Sequence, residues 1–170
     1  MINKNFYYNL KVQFEDCDLQ QIVHNSKINC YLERARFNLL DTENLSYNKL
    51  INKNIGFVMT DMKIKYVKPI FFNDEVVIIT SITGIYYHCL KVTQIVIKKE
   101  AYKLIKLLNF NLVDDFSKID DILVFCNTKF SLIDLNNKQP VNKNNEILKI
   151  INKDNQKFSV KDLHFKHPLI

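Results

Sequence analysis

The sequence predicts an α+β fold in which one antiparallel sheet packs around one long helix. Apolar residues alternate with a rough period of two over residues 6–14, then take helical spacing over 28–39. From Gly56 to Leu135 the period of two returns in a series of segments separated by turn residues. No internal repeat or linker interrupts the 170 residues, a length suited to one domain. A strand, a buried helix and then a run of strands is the order of a segregated α+β architecture.

The first strand is predicted over 6–14, where the sequence FYYNLKVQF is aromatic and β-branched. The polar stretch from Glu15 to Gln21 leads into a helix. Ile28, Tyr31, Leu32, Ala35 and Leu39 fall at i, i+3, i+4, i+7 and i+11, on one stripe. Phe37 and Leu40 widen that stripe, and Asn25 and Ser26 stand before it as N-cap types. A second short helical piece is expected at about Tyr47–Lys53. Met62, Ile64 and Tyr66 then alternate with Asp61, Lys63 and Lys65 until Pro69 stops the strand. Asn73-Asp74 makes a turn, and strands follow at Glu75–Ile85, Leu90–Lys98 and Ile122–Leu135, the last closed by Asn136-Asn137-Lys138. Residues 101–108 fit a helical turn or a strand, and Val113–Asp121 is acidic and loop-like. The tail from Val141 is rich in Asn and Lys and carries an amphipathic piece at Ile147–Ile151.

Composition removes several function classes. With 47% hydrophobic and 25% charged residues the chain can bury a core. Its two glycines, Gly56 and Gly84, stand apart, so no glycine-rich phosphate loop exists. No run of 18 apolar residues spans a membrane, and the N-terminus has no apolar signal core, which points to the cytoplasm. The net charge of +6 comes from 22 Lys and only two Arg, Arg34 and Arg36, scattered among 21 Asn. A nucleic-acid reader would use more arginine, gathered on one face, so nucleic acid is not the expected partner. A phosphate-bearing ligand or an acidic carrier protein would profit equally from the positive field. Cys17, Cys30, Cys89 and Cys126 are far apart and form neither a disulfide framework nor a zinc set. His164 and His167 have i, i+3 spacing but no further ligands, so no metal is expected.

The stretch richest in chemistry is Glu15-Asp16-Cys17-Asp18, followed seven residues after Asp18 by Asn25 at the helix start. A helix start offers unpaired backbone N–H groups and a partial positive charge. An acyl carbonyl resting on those amides would be polarised, and a nearby carboxylate, Asp18, would attack it or activate a water. An aspartate in such a loop equally well bonds its own backbone, and spacing does not separate these readings. Cys17 lies between two acids, which disfavours its thiolate.

Several motifs in order carry a resemblance. Phe14-Glu15-Asp16-Cys17-Asp18 with Ile22-Val23 and Asn25, then Tyr31-Leu32-Glu33-Arg34-Ala35-Arg36, Tyr66-Val67-Lys68-Pro69, Asp74-Glu75-Val76 and Phe130–Pro140 resemble the 4-hydroxybenzoyl-CoA thioesterase family of hotdog-fold acyl-CoA thioesterases. The resemblance covers about residues 6–140. It implies a hotdog domain at 1–140, in which about five strands wrap a long central helix, with a C-terminal extension at 141–170.

The resemblance also implies hydrolysis of an acyl thioester of coenzyme A or acyl carrier protein, in a homodimer or homotetramer. It implies no cofactor, coenzyme A entering only as part of the substrate. Asp18 is its catalytic carboxylate, Asp16 an orienting or structural one, and the Asn25 backbone N–H its oxyanion donor. His24, Ser26 and Ile28 are the expected substrate-binding positions. Glu33 is a rival base, and Lys63, Lys65 and Lys68 are candidate phosphate contacts. The chain departs from the pattern at Gln21, where the family has glycine, and at Ile28, where it has tyrosine. Those departures keep open a second reading, a non-catalytic hotdog module that binds acyl-CoA or acyl carrier protein.

Overall fold

The computed structural model describes residues 5–42, 46–86, 88–107 and 121–141. Five strands, β1 (Phe6–Lys11), β2 (Ile55–Tyr66), β3 (Glu75–Tyr86), β4 (Cys89–Lys98) and β5 (Ile122–Asp134), form one sheet in the order β1-β3-β4-β5-β2. Every neighbouring pair is antiparallel. Helix α1 (Asn25–Thr42) packs on one face, with the short α2 (Tyr47–Asn52) near its end, and α3 (Lys99–Leu107) follows β4. The predicted α+β class, helix and strands are therefore present.

The alternation of each central strand explains the two-sided burial. Val76, Ile78, Val96, Val124 and Cys126 face α1, where they meet Ile28, Tyr31, Leu32 and Ala35. Their neighbours Val77, Ile79, Ile95, Ile97, Ile122 and Phe125 form a second core against Tyr102 of α3. Strands covered on both faces read as continuous apolar runs, as β3 and β4 do. Each fully buried stripe residue, such as Leu32, contributes about 1.5–3 kcal/mol of transfer free energy.

Local details correct the expected boundaries. The first strand ends at Lys11, because Phe14–Asp16 coil into a 3-10 turn. The helix begins at Asn25 itself, so His24 rather than Asn25 or Ser26 holds the cap position. The His24 carbonyl accepts from the amides of Lys27 (2.9 Å) and Ile28 (3.2 Å), and its Nδ1 lies 3.3 Å from the Ser26 amide and 2.8 Å from Ser26 Oγ. Of the undecided residues, 101–107 belong to helix α3, whereas Leu108, residues 113–120 of the loop-like stretch and the tail from Asn142, with His164 and His167, lie outside the described residues. Among the described residues, no helix is long and apolar enough to cross a membrane.

Candidate active site

The loop between β1 and α1 is a tight hairpin. The Asp18 amide donates to the Ile22 carbonyl (2.9 Å), Cys17 bridges Val23, and the His24 amide donates to the Asp16 carbonyl (2.9 Å). This register folds the carboxylates back onto the helix start. Asp18 is exposed, and its Oδ1 accepts from the amides of Gln20 (2.8 Å) and Ile22 (3.2 Å). Those bonds fix the carboxylate while Oδ2 has no partner among the described residues. The loop-binding and the chemical readings of Asp18 are thus compatible: one oxygen holds the loop and the other, on an exposed side chain, is left without a partner among the described residues.

Gln21 closes the hairpin with φ 62°, in the left-handed region that costs a side-chain-bearing residue about 1–2 kcal/mol. Glycine would adopt it freely, which is the physical reason for a glycine at this position. The Asn25 amide has no acceptor among the described residues and remains a donor at the helix start. The Ser26 amide donates to His24 Nδ1 at 3.3 Å and is less available than that of Asn25. Ile28 is 4% exposed within the core. Its side chain supports the helix start from beneath, so it does not offer the surface contact that a substrate-binding position needs.

Asp16 serves the frame. Its buried Oδ2 accepts from the Tyr31 hydroxyl at 2.6 Å and from the Gln13 amide at 3.3 Å, and Oδ1 pairs with Lys27 Nζ at 3.2 Å. Burial opposes its ionisation, but the bonds from Tyr31, Lys27 and Gln13 outweigh burial and hold the carboxyl below its ordinary 3.8. Burial first, and Asp16 second, push the Tyr31 hydroxyl well above its ordinary 10.0.

The sign for stability follows from both shifts. Asp16 contributes fully above pH 3.8 and loses its contribution as the pH falls below that value. Tyr31 contributes fully below pH 10.0 and loses its contribution as the pH rises beyond it. Unfolding free energy measured against pH is expected to fall at both ends, and Tyr31→Phe should flatten the alkaline fall. An unchanged alkaline slope in that variant would refute the linkage. Burial, then Asp16 and Asp18, also push the Cys17 thiol up, as its acidic neighbours predict.

Sequence comparison turns this geometry into a family assignment. The model of the thioesterase-like superfamily matches residues 12–113, which include the carboxylate loop, α1, β2, β3 and β4. The chain belongs to the thioesterase-like superfamily. A superfamily relative named acyl-CoA thioester hydrolase YbgC, from Escherichia coli O6:H1, is 28% identical over 95 residues, covering 56% of this chain and 71% of that protein. An Aquifex aeolicus protein provisionally named an esterase is 35% identical over 69 residues, 41% of this chain. The chain spans about half the length of that relative, 54%.

Solved structures bear out the hotdog fold. YbaW from Escherichia coli superposes with TM-score 0.69 at 18% identity, covering 86% of this chain and 96% of that one. Slr0204 from Synechocystis, a 1,4-dihydroxy-2-naphthoyl-CoA thioesterase, gives 0.69 at 16%, covering 89% and 98%. SAV2348 from Staphylococcus aureus, solved in complex with CoA, gives 0.75 at 13%, covering 100% and 97%.

Within this superfamily member, the other candidate residues are dispersed. Glu33 is exposed on α1, two turns past the helix start, and lines a separate cavity rather than the Asp18 loop. Lys68 pairs with Asp121 at 3.3 Å. No group of three or more His, Cys, Asp or Glu residues among the described residues is placed to hold a metal ion. Sequence reasoning missed one polar assembly, the partly buried Arg36 with the buried Gln94. The available signal was that arginine occurs only twice in a lysine-rich chain and that Gln94 interrupts an apolar strand.

Proposed function

We propose that the protein hydrolyses acyl thioesters of coenzyme A or acyl carrier protein, with Asp18 and the Asn25 amide as its working pair. The observation that carries this reading is the Asp18 carboxylate, locked through one oxygen and open at the other, on a hairpin folded against a helix start with an unpartnered amide. The thioester carbonyl lies between them. The Asn25 N–H and the positive helix end stabilise the developing oxyanion, while Asp18 deprotonates a water or attacks the carbonyl itself. In the direct route an Asp18 oxygen bonds to the carbonyl carbon, the carbon–sulfur bond breaks, the thiolate leaves and takes a proton from solvent, and water hydrolyses the mixed anhydride to the free acid and the Asp18 carboxylate.

His24 and Ser26 flank the carbonyl at the helix start. No metal or redox cofactor is required, because a thioester is already activated. The motifs favour the 4-hydroxybenzoyl-CoA thioesterase branch of the superfamily, acting in the cytoplasm and in fatty acid metabolism.

The active species is a homodimer or a dimer of dimers. Strand β2 has twelve residues and, among the described residues, pairs with β5 alone, leaving a long edge on which Val58, Met59 and Tyr66 are each more than 40% exposed. Edges of that length and apolarity invite a second copy. The test is thiol release from a panel of short, medium, long and aromatic acyl-CoAs and acyl carrier proteins. Turnover of at least one class supports the proposal. Zero turnover across the panel, with ligand-induced thermal stabilisation, would favour the non-catalytic binding module instead.

A further inference from the structure

A cavity of 190 Å³ lies between the second half of α1, α2 and strands β2, β3, β4 and β5, and none of its lining residues belongs to the Asp18 loop. Its walls are apolar and rich in rings, among them Phe37, Tyr47, Phe57 and Phe130. Side-chain hydrogen-bond donors line it as well, Arg36, Thr80 and the Tyr47 hydroxyl.

The Arg36 guanidinium is partly buried. It donates to Gln94 Oε1 at 2.8 Å and lies 5.4 Å from the centre of the Phe130 ring. Gln94 is itself fully buried. Its Nε2 donates to the Leu32 carbonyl (2.9 Å) and to Thr80 Oγ1 (3.0 Å), so its amide is fixed and aims its oxygen at Arg36. Both partners of the guanidinium are neutral. Among the described residues Arg36 has no ion pair, and Glu33, also lining the cavity, stays beyond ion-pair distance. Burying a cation with no anion in ion-pair contact is unfavourable, and burial, offset only in part by the more distant Glu33, pulls the guanidinium below its ordinary pKa.

We infer that this cavity is a second ligand site, separate from the thioester site, which binds a small apolar carboxylate by seating its hydrocarbon body among the rings and its carboxylate on Arg36. The volume suits a compact body, since a dry cavity of about 150 Å³ accepts benzene. An arginine fork matches a carboxylate better than any other anchor in the lining, and the Thr80 hydroxyl, which accepts from Gln94, keeps its own hydrogen to donate. A free carboxylic acid of this kind is also the chemical class of product that thioester hydrolysis releases.

The test is titration of the full-length protein with benzoate and with benzyl alcohol, its neutral counterpart, followed by amide chemical-shift changes. Benzoate is expected to bind at least about tenfold more tightly, the worth of a hydrogen bond to a charged group. Arg36→Gln should abolish that preference. Because this variant disturbs Gln94 and can fail to fold, Leu40→Phe provides a second probe that fills the cavity and leaves Arg36 in place. It should weaken benzoate binding at least about tenfold with its melting temperature near the wild type.

Asp18→Asn should leave benzoate binding unchanged, which separates this site from the thioester site whatever becomes of the hydrolysis. Equal affinity for the two ligands, unaltered binding in Leu40→Phe, or no saturable binding of benzoate overturns the inference.

Discussion

Asp18→Asn is expected to lower kcat/KM for a thioester substrate by roughly 10²–10⁴-fold, the usual worth of a general base. The substitution keeps the shape of the side chain, and the asparagine oxygen still accepts from the Gln20 and Ile22 amides. Only the negative charge and the second carboxylate oxygen are lost. Stability should therefore change by less than about 1 kcal/mol, the worth of a cap bond that here survives. KM should move little, because the Asn25 amide and the helix start are untouched. Steady-state thiol release and a thermal melt on the same preparation measure both quantities. A near wild-type rate with a melt several degrees lower would make Asp18 structural and move attention to Glu33 or His24.

Asp16→Ala has the opposite signature. It removes the acceptor of the buried Tyr31 hydroxyl, the partner of Lys27 and the acceptor of the Gln13 amide in one step. An orphaned buried hydroxyl alone costs about 1–3 kcal/mol, and bonds to a charged acceptor add to it. A total loss of about 2–4 kcal/mol is expected, read from denaturant unfolding. The double variant Asp16→Ala/Tyr31→Phe should lose less than the two single variants together, since the orphaned hydroxyl is gone. Additive losses would mean that the 2.6 Å bond contributes no coupling. Activity in Asp16→Ala falls as well, because the hairpin carrying Asp18 loses its tether to α1.

The contrast between these carboxylates shows what the sequence could and could not display. Both were visible as an i, i+2 pair before a helix, yet spacing does not say which is buried. The decision rests on Tyr31, fifteen residues further on, whose place in the apolar stripe announces burial but not its hydroxyl's partner. Strands β2 to β5 were legible because period two and turn residues agree over long segments. The N-cap was misread because His24 is an unusual cap, chosen by the hairpin register rather than by side-chain preference. Ile28 carries two expectations, core from its place at the first position of the stripe and substrate-binding from the tyrosine it replaces, and its burial agrees with the first.

The Arg36–Gln94 pair spans 58 residues and two elements, so no local pattern carries it. Long-range polar contacts of this kind are fixed by the packing of α1 on the sheet and become visible only in three dimensions.

The central claim is that a thioester carbonyl sits between Asp18 and the Asn25 amide. A crystal structure with a non-hydrolysable acyl-CoA analogue, in which a methylene replaces the thioester sulfur, tests it most directly. The account predicts the ketone oxygen about 2.7–3.1 Å from the Asn25 nitrogen, with the open oxygen of Asp18 turned toward the carbonyl carbon. An analogue whose carbonyl lies elsewhere on the chain, with the Asp18 oxygens turned to the loop amides alone, would contradict it.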